Sequence, residues 1–188
     1  MVQAAATPST REQILDAAEA LFAAQGYQGT TIAQVAGAVG IQGPAIYKHF
    51  ANKRALFEEV LERLFAPFLE PLQRDTGSGD AQAEILRLHL ANPNASRIVQ
   101  HATLSGGEDL ALLVQRWYLP FFGDVRQLTA DSATGITAVK VMAFHSMLLG
   151  YLTLAPLHQA IFDTDPLHAD ALAELLALQA RLAQAALD

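Results

Sequence analysis

The sequence predicts an all-α fold, and three observations carry that expectation. Alanine and leucine dominate while valine and isoleucine are sparse, a bias toward helix over sheet. Apolar residues recur three and four positions apart between glycine and proline breaks. No run alternates apolar and polar residues for a useful length, and no internal repeat interrupts the pattern.

The first helical pattern is "STREQILDAAEALFAAQGYQG", where Ser9 or Thr10 followed by Glu12 or Gln13 makes a capping-box start. Its apolar face is Ile14, Leu15, Ala18, Leu21 and Phe22, and Gly26 is a plausible stop. "TTIAQVAGAVG" gives a second helix near 31–39, closed by Gly40. A short third helix is expected from Pro44 to Phe50, with Gly43 as N-cap and Pro44 at the first position, where its missing N–H costs nothing. The fourth begins after Asn52 and runs through "KRALFEEVLERLF" until Pro67 and Pro71 kink or end it. "RDTGSGDAQ" then reads as a flexible connector around residues 74–80.

Beyond it, "AQAEILRLHLAN" stops at Pro93 and "NASRIVQHATL" at Gly106-Gly107. "EDLALLVQRWYLPFFGDVRQLTA" is interrupted at Pro120 and Gly123, and an apolar segment spans 135–155. "DPLHADALAELLALQARLAQAAL" closes the chain. The 135–155 segment is long enough for a bilayer, but Lys140 and His145 lie within it, so it reads as a helix buried in a soluble protein.

At 188 residues, 52% apolar and 16% charged, the chain can bury roughly 70% of its unfolded surface. Without cysteine it has neither disulfides nor thiolate sites, which fits a reducing cytoplasm. "MVQAAATPST" lacks a basic region followed by an apolar one, so it reads as a frayed tail rather than a secretory signal. The histidines at 89, 101, 145, 158 and 168 form no i,i+4 pair, so metal binding is not expected. No phosphate-cradling loop, nucleophile elbow or paired-carboxylate motif is present, and neither an enzyme nor a cofactor is indicated.

The net charge of −7 argues against a nucleic-acid partner until its distribution is considered. Residues 1–60 hold four Lys/Arg against five Asp/Glu, and residues 61–188 eight against fourteen. Gly40 to Phe57 contains Lys48, Lys53, Arg54 and His49 with no carboxylate, a local anion-binding composition. The two helices flanking Gly40 meet the needs of a helix-turn-helix. Ala36 lets them cross closely, Gly40 supplies a left-handed corner, and Val35, Val39, Ile41 and Ile46 join them.

The stretch "TTIAQVAGAVGIQGPAIYKHFANKRAL" resembles the amino-terminal DNA-binding region of the TetR/AcrR family of bacterial repressors. The shared features are the Thr-Thr pair, the Ala-x3-Gly turn, an aromatic before His-Phe, and "NK" opening the next helix. "ILDAAEALFAAQGYQGTT" matches the family's first helix and its Gly-aromatic turn, so the likeness covers about residues 10–60. It implies a flexible tail at 1–8, a three-helix DNA-binding domain at 9–54, and a helical effector-binding and dimerisation domain at 55–188.

Carried over by residue, the resemblance places phosphate contacts at Thr31, Tyr47, Lys48, His49 and Lys53, with Thr31 also an ordinary N-cap. Base readout falls to Gln42, Gly43, Pro44 and Ala45, since glutamine suits the adenine edge and Pro44 or Ala45 a thymine methyl. This end departs from the family pattern. Gly43 stands where a polar or basic residue is common, and Ala33 and Gly37 replace frequent charged ones. The resulting expectation is modest affinity per half-site, a strong dependence on dimer pairing, and about six phosphate contacts giving a salt slope near −5.

The family implies an effector pocket and a dimer interface made by the last two helices. Phe68, His101, Trp117, Tyr118, Phe121, Met142 and His145 are the candidate pocket residues, suited to a small, largely apolar effector. The last helix offers an apolar stripe of Leu172, Leu175, Leu176, Leu182 and Ala183 for a two-fold homodimer interface. Two readings stay open: a cytoplasmic, ligand-responsive repressor binding double-stranded operator DNA, or a helical small-molecule-binding or interaction protein with a degenerate reading head. The acidic total, Gly43 and Ala33 support the second.

Overall fold

The computed structural model describes residues 8–73, 80–120 and 137–187. The regular elements among them are all helical: α1 (Thr10–Gly29), α2 (Ile32–Val39), α3 (Gly43–Ile46), α4 (Lys53–Gln73), α5 (Asp80–Ala91), α6 (Asn94–Ser105), α7 (Gly107–Leu113), a π-helical turn at Val114–Tyr118, α8 (Ala138–Phe162) and α9 (Ala169–Leu187). The expected tail at 1–8, except Pro8, and the expected connector at 74–80, except Asp80, lie outside the described residues.

The local signals resolve as their chemistry requires. Ser9 accepts the Glu12 N–H, and the Glu12 carboxylate accepts the Ser9 N–H at 2.7 Å, closing a capping box. Gly26, at φ 73° and ψ 172°, breaks the helical run, and one further turn carries the chain to Gly29. Thr31 and Gln34 form a second capping box at the start of α2. Asn52 caps α4 by accepting the Ala55 N–H at 2.8 Å.

Three expectations are corrected. The N-cap of α3 is Gln42 rather than Gly43, and the helix ends at Ile46, with residues 47–49 continuing as turns. Pro67 and Pro71 do not end α4, which reaches Gln73. Leu64, Phe65 and Phe68 around Pro67 are at most 5% exposed, and their burial outweighs one lost backbone bond. The single helix expected from Glu108 to Pro120 is α7 followed by the π-helical turn, in which the Leu119 N–H reaches the Val114 carbonyl.

One buried core joins both halves of the chain. It runs from Ile14, Phe22, Val35 and Ile46 through Phe57 and Leu61 of α4 to Ile98, Leu113 and Trp117. Helix α1 packs against α2 and α4 and meets α6 over the largest helix–helix contact among the described residues. Helix α4 passes through positions 54–55 without a break, so it serves both the reading head and the remaining helices. The outer pair, α8 and α9, buries little: Ala155 on α8, and Leu175 and Gln179 on α9.

Candidate nucleic-acid interface and ligand cleft

The reading head is built around Gly40. Its φ of 73° and ψ of 28° are left-handed, and the Ile41 N–H bonds the Ala36 carbonyl at 2.9 Å, closing α2 and turning the chain. Ile46 (0% exposed) and Phe50 (3%) anchor the short α3 from beneath, with the Arg11 guanidinium 5.0 Å from the Phe50 ring. That anchoring turns the other side outward. Gln42, Pro44, Tyr47, Lys48 and His49 are exposed, while Gly43 and Ala45 are half-buried. Thr31 is exposed too, its hydroxyl accepting the Gln34 N–H and donating to the Gln34 side-chain oxygen.

Lys53 does not join this face. Its ammonium donates to the carbonyls of Tyr27 and Thr30, both at 2.9 Å, and lies 4.1 Å from the centroid of the Tyr27 ring. The side chain therefore ties the start of α4 to the junction of α1 and α2, so the ammonium expected to clamp phosphate is engaged within the chain. Arg54 is likewise engaged, donating to Glu58 one turn along at 3.0 Å. The positive charge offered to solvent on the reading face reduces to Lys48, with the ionisable His49 beside it.

On the other side of α6, a cleft of about 290 Å³ opens between α6, α7, the π-helical turn and α8. Val99, Leu110, Leu113, Val114 and Leu149 form its apolar walls; Thr103, Tyr118, His145 and Ser146 supply its polar atoms. The Tyr118 hydroxyl stands 3.4 Å from His145 Nε2, and the two rings meet edge-on at 5.5 Å. Burial raises the Tyr118 phenol and lowers the His145 imidazolium, so both side chains are held neutral.

Of the seven expected pocket residues, only Tyr118 and His145 reach this cleft. Phe68 and Trp117 belong to the core, Phe68 beside His89 at 4.7 Å and Trp117 beside Phe65 at 5.8 Å. His101 packs against Gly26 of α1. Met142 is 58% exposed on the outer side of α8, and Phe121 lies outside the described residues. Leu149 follows His145 and Ser146 at helical spacing, yet on an almost uniformly apolar helix that spacing does not distinguish a cleft from a core.

The expected dimer stripe divides. Leu175 is 6% exposed and faces its own chain, so it is removed from the outer surface. Leu172, Leu176 and Ala183 are half-buried, and Leu182 is 41% exposed. Leu178, not anticipated, is equally exposed, and α8 adds Val139, Leu154, Leu157, Ile161 and Phe162. Among the described helices, α8 is long and apolar enough to cross a membrane by length and composition.

Two polar ties bind α1 to the larger half. The Glu19 carboxylate, 7% exposed, accepts from Asn92 at 2.8 Å, Asn94 at 2.9 Å and Arg63 at 2.5 Å. Burial alone would raise its pKa, but these hydrogen bonds and the Arg63 charge outweigh that and hold it below the usual carboxylate value. Gln28 donates to Asp109 at 3.2 Å, the second tie.

Residues 14–60 match the family of bacterial regulatory proteins of the tetR family. The chain is 45% identical over 53 residues to the HTH-type transcriptional regulator AcrR of Shigella flexneri, covering 28% of this chain and 25% of that one. It is 33% identical over 94 residues to the HTH-type transcriptional repressor KstR2 of Mycobacterium tuberculosis, covering 44% and 47%. These matches thus span less than half the length of either relative. Over nearly the whole chain the fold is similar to NalD of Pseudomonas aeruginosa, the secondary repressor of a multidrug efflux pump, with TM-score 0.61, 29% identity and coverage of 92% and 95%. By its reading head and by these likenesses, residues 14–60 form a DNA-binding region of the tetR family, and nearly the whole chain is similar in fold to a transcriptional repressor.

Proposed function

We propose that this regulator is a cytoplasmic homodimeric repressor that leaves its operator when a small, largely apolar molecule enters the cleft beside α6. The observation that carries the reading is the double role of α6. Its Val99 and Thr103 line the cleft, while Ile98, Ala102 and His101 pack toward α1 of the reading head. A ligand that binds better to a displaced α6 therefore favours a displaced reading head, and without such differential binding it shifts nothing.

Two copies meeting through the exposed apolar sides of α8 and α9 make a four-helix interface and set two reading heads about 34 Å apart, one turn of DNA. Tyr47, Lys48, His49 and Thr31 then take phosphate, and Gln42, Pro44 and Ala45 the groove. Catalysis forms no part of this reading. The test is binding to the DNA upstream of the chain's own gene at low salt, followed by ligand-driven release. Failure to bind that DNA would favour the second reading, a small-molecule-binding protein with a degenerate head, which the bare Ala33, Gly37 and Gly43 support.

A further inference from the structure

We infer that Lys48 is a modification site: its amine takes an acyl group from a small acyl phosphate that docks on the same turn, and the amide so formed weakens the grip on DNA. The inference rests on the DNA-reading role of this face and adds a chemical control to it. Three observations lead to it.

The first is access. The chain has three lysines, at 48, 53 and 140. Lys48 is exposed, and among the described residues no ion pair or side-chain hydrogen bond holds its ammonium. The nearest carboxylates along the chain are committed elsewhere, Glu58 to Arg54 at 3.0 Å and Arg116 at 3.7 Å, and Glu59 to Arg11. Lys53 donates to two carbonyls at 2.9 Å and lies over the Tyr27 ring, so its nitrogen must leave all three before its lone pair can attack. Lys140 is half-buried in the first turn of α8.

The second is the setting of that amine. Ile46 and Phe50, 0% and 3% exposed, pin the turn from beneath. The Lys48 N–H bonds the Ala45 carbonyl at 3.3 Å, and the His49 N–H bonds the Ile46 carbonyl at 2.9 Å. Tyr47, Lys48 and His49 thus leave one fixed turn in succession, all three exposed, and no carboxylate occurs from Gly40 to Phe57. The phenol and the imidazole each offer a donor to a phosphate oxygen. A phosphate held by them keeps its acyl group beside the Lys48 amine, whereas a neutral ester gains nothing from such a surface.

The third is what the step does. The unprotonated Lys48 nitrogen attacks the acyl carbon and a C–N bond forms. The bond from that carbon to the phosphate oxygen breaks, and phosphate leaves with the electron pair and takes the amine proton. Nothing is oxidised or reduced. The amide that remains is neutral. With Lys53 and Arg54 engaged internally, neither restores the lost charge to the reading face. Acylation of both copies in a dimer therefore flattens the salt slope of DNA binding by about 1.8.

The experiment treats the full chain with two acetyl donors in mildly alkaline buffer: acetyl phosphate, and the neutral N-hydroxysuccinimide ester of acetic acid. Peptide mass spectrometry follows the rate at each lysine, and fluorescence anisotropy follows binding to an operator duplex over a salt series. With acetyl phosphate, Lys48 should react at least about tenfold faster than Lys53, whose nitrogen has two charge-assisted bonds to break. The margin of Lys48 over Lys140 should be larger with acetyl phosphate than with the ester. Inorganic phosphate should compete with the first donor and not with the second. Replacing both neighbours, Tyr47→Phe with His49→Ala, should bring the two donors to the same selectivity. Protein acetylated at Lys48 should show the flattened slope, and so should Lys48→Gln. Should the double variant fail to fold, the wild-type donor comparison and the phosphate competition still decide. Lys53 reacting as fast as Lys48, the same selectivity from both donors on the wild-type chain, or an unchanged salt slope after acetylation overturns the inference. DNA binding without selective reaction at Lys48 sinks it while sparing the regulator; selective reaction without DNA binding by the unmodified chain does the reverse.

Discussion

Two lysines five residues apart, Lys48 and Lys53, should fail in different ways when replaced by alanine. Lys48 is exposed on the reading face, whereas the Lys53 ammonium is held by the carbonyls of Tyr27 and Thr30. Each lysine that neutralises a phosphate releases counterions and contributes about −0.9 to the slope of log K against log salt. A dimer presents Lys48 twice, so Lys48→Ala should flatten the slope by about 1.8. Between 50 and 200 mM salt, that flattening removes about tenfold of the salt sensitivity.

With Lys53 and Arg54 engaged internally, the whole wild-type slope should lie near −2 from Lys48 alone and near −4 with a charged His49, shallower than the −5 that six contacts imply. Lys53→Ala should leave the slope unchanged and act on stability instead. Losing two charge-assisted bonds to carbonyls and the Tyr27 ring contact, at a half-buried position, costs about 2–3 kcal/mol, or roughly 5–10 °C in Tm. The assay is fluorescence anisotropy on one operator duplex over a salt series, paired with thermal melts at fixed protein concentration. If Lys53→Ala flattens the slope by about 1.8 with Tm unmoved, the assignment of Lys53 to the scaffold is wrong.

Glu19→Ala strips an acceptor from Asn92 and Asn94 and loosens Arg63, which keeps its 2.6 Å bond to Asp16. With the Arg63 part discounted because that side chain is 36% exposed, the cost is about 3 kcal/mol, roughly 6–12 °C. Because the folded Glu19 pKa is depressed, its stabilisation is present above the unfolded value of 4.5 and lost as pH falls through the folded one. Acid melts should therefore converge for wild type and Glu19→Gln, and curves that stay parallel to the lowest pH count against the network. Gly43→Lys introduces a cation where a Cβ meets nothing within 4 Å, so it should fold and steepen the salt slope by about 1.8 per dimer; a folded variant with unchanged DNA affinity refutes the placement of Gly43 on the DNA-reading face. Ile161→Glu, at a side chain 61% exposed on α8, should yield a folded monomer in sedimentation experiments, whereas a persisting dimer would move the interface elsewhere.

What the sequence disclosed was local. The Ser9 capping box, the Thr31 N-cap, the Gly40 corner and the stops at Pro93 and Gly106 depend on residues within one or two turns, and each formed. The misread features depend on distant partners. The direction of Lys53 is set by carbonyls 23 and 26 residues away, and α4 survives Pro67 because of side chains packed around it. The apolar spacing of α9 marks which residues avoid water. It does not distinguish Leu175, covered by its own chain, from Leu178 and Leu182, left outward. The cleft was least visible, because Phe68 and Trp117 fill space while the smaller Val99, Thr103 and Ser146 leave it open.

The Gly26–His101 contact bears on how freely reading heads can be exchanged between related regulators. Gly26 holds a backbone angle that side chains rarely adopt, and a Cβ there would lie 3.3 Å from the His101 ring and its Cβ. A donor head with any other residue at this point must distort its own turn and push back the helix beneath. A chimaera cut within α4 therefore separates partners that fit only each other. A graft that works has to carry position 101 along with position 26, together with the asparagines that hold Glu19, so the unit that can be transplanted is larger than the part that touches DNA.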